Sequence, residues 1–177
     1  MNKNRKNLLR LAGIEEESIV DGPGLRLVVF TQGCTHHCRG CQNPQTHPLA
    51  GGESKSLDQI LALYDENPLL DGITFSGGEP FLQAEALACL GAEVHNRQGT
   101  VVTYTGYTFE ALIKRIREHK APDWEHLLAE TDLLIEGPYI AALRDLELTY
   151  CGSSNQRILD RHARKALEEE IVSCHKR

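Results

Sequence analysis

Gly33-Cys34-Thr35-His36-His37-Cys38-Arg39-Gly40-Cys41 places three cysteines within eight residues, directly after the apolar run Leu25 to Phe30. Thiolates are the soft ligands that hold iron–sulfur clusters or zinc. Three of them on one short loop can grip three corners of a cubane cluster. The fourth iron then keeps an open coordination position, where something reactive can bind; a closed four-thiolate site only carries electrons or holds structure. Structural zinc normally shows paired C-x-x-C knuckles or added histidines at fixed spacing. His36 and His37 are candidates for a fourth ligand, but they lie inside the tight loop, where the geometry is poor. Cluster binding is the preferred reading, and zinc is the alternative.

The run before the loop decides the fold class. Leu25 to Thr31 is nearly all apolar and rich in β-branched and aromatic residues. Such runs suit strands covered on both faces, as in parallel α/β sheets, and ligands collect at the C-terminal ends of those strands. Upstream, Leu8 to Ile14 reads as a first strand, and Asp21-Gly22-Pro23-Gly24 is a strong turn signal. Downstream, Asn43 to Gly52 is loop by composition. Ser56 with Gln59 makes a capping box for a helix that lines up Leu57, Ile60, Leu61 and Tyr64 and stops at Asn67-Pro68.

Ile73 to Phe75 is a short strand followed by Ser76-Gly77-Gly78-Glu79-Pro80, with Pro80 suited to open a helix. That helix carries Leu82, Ala86, Cys89, Leu90 and Val94 inward. Thr100 to Tyr104 is a strand, Thr108 caps a helix with Phe109, Leu112, Ile113 and Ile116 inward, and Trp124, Leu127 and Leu128 mark a short helical turn before the strand Leu133 to Ile135. Leu146 to Tyr150 reads as a further strand and Arg161 to Ile171 as a charged helix.

Strand and helix alternate, which implies a mostly parallel sheet with right-handed crossovers. A complete eight-unit barrel needs about 250 residues. These 177 residues therefore predict an α/β fold with an open, partial (β/α) barrel. Residues 1–177 read as a single domain, with 1–7 disordered and 161–177 a C-terminal helix and tail.

A formal net charge of −6 argues against nucleic-acid binding through bulk charge. No run is long enough to span a bilayer, and the polar, basic start is too short and interrupted for a signal peptide. The expectation is a cytoplasmic protein whose six cysteines stay reduced, with no membrane partner.

CxxxCxxC after the first buried strand resembles the signature of the radical S-adenosylmethionine (SAM) superfamily. Gly77-Gly78-Glu79-Pro80 resembles its SAM-binding GGE motif. Ser18 to Arg26 (SIVDGPGLR), Gln32-Gly33-Cys34, Asn43-Pro44, Thr105-Gly106-Tyr107 and Gly152 to Arg157 (GSSNQR) are similar to the activating proteins of anaerobic ribonucleoside-triphosphate reductase. The resemblance runs over roughly residues 8 to 160. It implies the radical SAM type of partial barrel, a 4Fe-4S cluster on Cys34, Cys38 and Cys41, and SAM chelating the open iron. Gly77, Gly78, Glu79, Pro80, Gly40 and Thr105 would serve SAM, with Glu79 and exposed carbonyls meeting its amino group. It further implies a 5′-deoxyadenosyl radical that takes hydrogen from a glycine of the reductase, with reduced flavodoxin or a similar protein as electron donor.

Two departures from the family pattern are visible. Gly40 stands where an aromatic residue is common, and Glu136-Gly137-Pro138 where many relatives have Asp-Gly-Pro. Activators of other glycyl-radical enzymes can carry a ferredoxin-like insert, but Gln42 to Ser76 contains no cysteine. An activase of another glycyl-radical enzyme and a non-catalytic iron–sulfur or zinc module are the competing readings. Of the remaining cysteines, Cys89 reads as core, Cys151 as near the site and Cys174 as tail.

Overall fold

The computed structural model describes residues 8–174. The expectations for residues 1–7 and 175–177 lie outside the described residues. Seven strands form one sheet in the order β3-β1-β2-β4-β5-β6-β7. They are β1 (Leu8–Ser18), β2 (Arg26–Thr31), β3 (Glu53–Ser56), β4 (Gly72–Gly77), β5 (Thr100–Thr105), β6 (Leu133–Glu136) and β7 (Arg157–Asp160). The helices are α1 (Leu57–Glu66), α2 (Ala84–Asn96), α3 (Phe109–Arg117), α4 (Asp123–Glu130) and α5 (Arg161–Cys174). Strands β2, β4, β5 and β6 pair in parallel. Antiparallel β1 and β3 extend one side and antiparallel β7 the other. The edge strands β3 and β7 do not pair with each other, so the barrel is open, as expected from its length.

Alternation along the central strands separates two environments. Leu27, Val29, Ile73, Phe75, Val101 and Leu134 join the apolar cluster that also takes Ile60 from α1, Leu87 and Leu90 from α2, Leu112 from α3 and Leu127 from α4. The intervening Phe30, Ser76 and Tyr104 line a cavity instead. One face is thus covered by helices, while the other is roofed by loops, among them residues 19–25. That roof explains why β2 is apolar on both sides.

Local signals behave as the sequence predicts at several termini. Ser56 Oγ accepts from Gln59 N–H while the Gln59 side chain accepts from Ser56 N–H, closing the capping box. Thr108 Oγ1 accepts from Ala111 N–H at the start of α3.

Four features differ from expectation. β1 runs on through Glu15, Glu16 and Glu17 because its antiparallel register with β2 carries it. β3 (Glu53-Ser54-Lys55-Ser56) has no apolar pattern because it lies at the edge with its side chains in or near water. Leu146 to Tyr150 is a series of bends rather than a strand, and Leu146 is 81% exposed. A 3₁₀ turn, Pro80–Gln83, precedes α2, which therefore begins at Ala84. Leu87, Leu90, Gly91 and Val94 then face the core, while Leu82 and Cys89 are exposed. Cys89 is therefore not a core residue. Cys89→Ala is expected to shift stability by no more than about 0.5 kcal/mol, the range of an unpartnered surface position. Thermal unfolding checks this.

Candidate cluster and SAM site

The parallel register Thr31↔Gly77 sets the ends of β2 and β4 side by side. The cysteine loop leaves β2 there and is tied down at once. Gly78 N–H donates to Thr31 O and Glu79 N–H to Gly33 O, both at 2.8 Å. The chain after the cysteines returns through a 3₁₀ turn, Pro44–Thr46, whose Thr46 O and the following His47 O accept from Gly33 and Cys34 N–H. Asn43 N–H donates to Cys41 Sγ at 3.4 Å. The loop is thereby closed on itself and fastened to the Gly77–Pro80 turn.

Gly77 and Gly78 are required by this close approach. A Cβ on Gly78 would stand 2.2 Å from Gly33 O, and one on Gly77, at φ +91°, would stand 2.7 Å from Phe30 Cα. No side chain fits at either position without parting the two strand ends.

Cys34, Cys38 and Cys41 line one cavity of about 510 Å³, together with Gly77, Gly78, Thr105 and Gly106. That size lies within the range that holds a cofactor-sized ligand. Tyr104 and Tyr139 add aromatic wall, and Cys151, Gly152 and Gln156 close the far side. Burial pushes the Cys34 thiol up; the main-chain N–H of His36 opposes the rise, Glu79 and Cys38 add to it, and the N–H of His37 opposes it again. Burial likewise raises the Tyr104 phenol, keeping it a hydrogen-bond donor. Three thiols around one cavity suit the separate irons of a cluster. The three thiols, the glycine-walled space beside them and its volume therefore fit a cluster with a bound ligand.

Three of the residues expected to serve SAM do not line this cavity. Glu79 is wholly buried. Its Oε1 accepts from Phe81 N–H (3.0 Å) and Thr105 Oγ1–H (2.9 Å), and its Oε2 from Gly106 N–H (3.0 Å). Such a carboxylate braces the turn from within and has no free face for a ligand's amino group. Pro80 is buried at the start of the 3₁₀ turn. Gly40, at φ +76°, has Ala141 and Tyr139 over the place a side chain would take. Gly77, Gly78 and Thr105 do reach the cavity, and so does Cys151, as its position before the 152–157 loop suggests.

The flanking motifs hold the roof. Val20 and Asp21 line the cavity, with Asp21 Oδ2 accepting from Ser18 Oγ and Asp21 O from Thr74 Oγ1. On the other side, Gln156 Oε1 accepts from Gly152 N–H, Gln156 Nε2 donates to Gly137 O, and Asn155 Nδ2 to Pro138 O. Glu136 is buried and accepts from Phe109 N–H at the start of α3 and from Arg157 Nε. The carboxylate at position 136 thus anchors the 152–157 loop instead of facing the cavity.

Sequence reasoning missed several contacts. His36 is not a spare metal ligand; its Nε2 lies 2.7 Å from Glu79 Oε2. Phe30 and Tyr104 escaped notice because they sit inside apolar strands, where only the period of two distinguishes cavity from core. His95, without a nameable partner in the sequence, lies between Glu130 and Asp132 on the helix-covered side.

Comparison with known proteins accords with this geometry. Residues 20–159 match the family described as a 4Fe-4S single cluster domain. The anaerobic ribonucleoside-triphosphate reductase-activating protein of Vibrio cholerae is 33% identical over 150 residues, covering 79% of this chain and 90% of its own. The pyruvate formate-lyase-activating enzyme of Clostridium pasteurianum is 36% identical over 133 residues, 71% of this chain, but the match spans only 50% of that longer protein. Among solved structures, QueE from Escherichia coli aligns with a TM-score of 0.43 and 14% identity, covering 57% of this chain and 54% of its own. The chain belongs to the 4Fe-4S single-cluster family and, within the radical SAM superfamily, to the anaerobic ribonucleoside-triphosphate reductase-activating proteins.

Proposed function

We propose that this protein generates the glycyl radical of an anaerobic ribonucleoside-triphosphate reductase. The observation that carries this reading is a single cavity lined by Cys34, Cys38, Cys41 and the Gly77-Gly78 turn. The three thiols would hold a 4Fe-4S cluster. Gly77, Gly78 and Thr105 would receive the amino-acid end of SAM beside it, since these are the places where backbone and a small hydroxyl meet the cavity. The chemistry supplied there when both groups are bound is one-electron cleavage of SAM to methionine and a 5′-deoxyadenosyl radical, which takes a hydrogen atom from a glycine of the reductase. The chain's own part is placement and exclusion of water. The loops at residues 19–25 and 139–156 roof the cavity and leave an opening suited to a peptide segment of a large partner.

Support for this partner comes from the Vibrio cholerae relative, which the match covers over 90% of its own length; the match spans 50% of the pyruvate formate-lyase-activating enzyme. The family resemblance suggests an outside electron carrier such as reduced flavodoxin. The reading also places the protein in the cytoplasm as one domain, where the ligand thiols stay reduced. No described helix is long and apolar enough to cross a membrane.

The test is anaerobic. Protein reconstituted with iron and sulfide, given SAM and a strong reductant, should release 5′-deoxyadenosine. With the reductase added, a glycyl radical should appear by electron paramagnetic resonance (EPR). An intact cluster without 5′-deoxyadenosine would sink the enzymatic reading. A radical formed on pyruvate formate-lyase but not on the reductase would reassign the partner.

A further inference from the structure

His36 sits between two of the three cysteines, and its ring lines the cavity. The ring nevertheless points its Nε2 at Glu79, a wholly buried carboxylate 43 residues away in sequence. Every other neighbour of that carboxylate is a donor: Phe81 N–H, Gly106 N–H and Thr105 Oγ1–H. His36 therefore presents Nε2–H. The ring is also held from the side. It packs edge-on against Tyr107 at 4.4 Å between centroids, and Tyr107 rests on Trp124 at 4.8 Å. Its berth exists because residue 106 is glycine, where a Cβ would lie 2.5 Å from His36 Cδ2.

An ordinary satisfied histidine would need only one partner. Here a residue of the cysteine loop is fixed by Glu79 of the Gly77–Pro80 turn and by Gly106 and Tyr107 between β5 and α3, with Trp124 of α4 behind Tyr107. We propose that His36 is a positioning residue, a latch that sets the cysteine loop at a fixed distance from the Gly77-Gly78 turn so that the cluster and the amino-acid end of SAM meet in register. The main-chain bonds from Gly78 and Glu79 fasten only the root of the loop, at Thr31 and Gly33. His36 fastens it between Cys34 and Cys38, where the sulfurs are. This proposal rests on the function proposed above.

The test compares His36→Ala, His36→Gln and Gly106→Ala with the wild type, all cluster-loaded. Iron and sulfide content should be unchanged in each, because all three cysteines remain. SAM affinity, measured at equilibrium on the oxidised protein without turnover, should fall about tenfold or more in His36→Ala, as for partners that orient a ligand set. The change that SAM makes in the EPR signal of the reduced cluster should shrink with it. His36→Gln retains an N–H donor and should stay within about threefold of wild type. Gly106→Ala should reproduce the His36→Ala defect by evicting the ring. Wild-type SAM binding and an unaltered EPR change in His36→Ala would overturn the latch. So would loss of iron from that variant, since His36 would then build the loop instead of placing it. A Gln variant no better than the Ala variant would overturn it too. Failure of the wild-type protein to bind SAM would refute the proposed function instead.

Discussion

Cys38→Ala is expected to abolish both the cluster and SAM cleavage while leaving the fold intact. The side chain is only partly buried, so little apolar contact is lost. Its thiol is one of three lining the cavity, with Cys34 and Cys41. Two thiols cannot hold three corners of a cubane. Iron and sulfide analysis after anaerobic reconstitution should drop to background, 5′-deoxyadenosine should fall below detection, and far-ultraviolet circular dichroism should match the wild type. Cys151→Ala removes a thiol from the far wall of the same cavity and should keep its iron. A cluster retained in Cys38→Ala and lost in Cys151→Ala would reverse the ligand assignment.

The second large effect concerns stability. Arg26 is fully buried at the start of β2. Its Nε donates to Thr74 Oγ1 at 2.8 Å, Nη1 to Pro23 O at 3.0 Å and Thr100 Oγ1 at 3.1 Å, and Nη2 to Ile73 O and Thr100 O, both at 2.7 Å. One side chain thus stitches β2 to β4, β5 and the loop that roofs the cavity. Desolvation lowers its pKa, with Tyr64, Asp71, Asp132 and Tyr104 opposing, so part of the gain is spent on burying the charge.

Arg26→Met removes that cost but leaves the buried Ile73 O short of a donor, at about 1–3 kcal/mol, and the part-buried Pro23 O and Thr100 O short of one at a smaller cost each, since water reaches them. The orphaned carbonyls win, because methionine fills the volume without replacing a single donor. A net loss of about 3 kcal/mol is expected, and for a chain of this size that lowers Tm by roughly 6–12 °C. A variant unfolding with the wild type would show that the network is dispensable.

The site was legible where chemistry requires particular residue types close together in sequence. Cys34, Cys38 and Cys41 could be read as parts of one site because thiolates have few substitutes, and the structure brings all three to one cavity. Gly77 and Gly78 could be read as a close-approach turn because only glycine tolerates it. Glu79 was assigned the wrong face, since a carboxylate after two glycines suits a cationic ligand equally well as it suits main-chain donors. Helix starts at Ser56 and Thr108 were legible because capping is local. Strands β3 and β7 were not, because each owes its existence to a neighbour strand far off in sequence, Leu8–Leu11 for one and Leu133–Glu136 for the other. Cys89 was misplaced because it borders the face that Ala86, Leu90 and Val94 bury, and helical spacing alone does not mark where that face ends.

By itself, then, the sequence determined the alternating α/β order, the three-thiol loop at the end of a buried strand and the glycine turn after the next one. Each follows from short-range patterns whose periods and spacings are fixed by backbone geometry. Only the tertiary structure decided that Thr31 and Gly77 stand side by side, that Glu79 turns inward and that His36 reaches across to it. Those depend on strand register and on competition among distant hydrogen-bond partners, and neither is written in any one stretch of the chain.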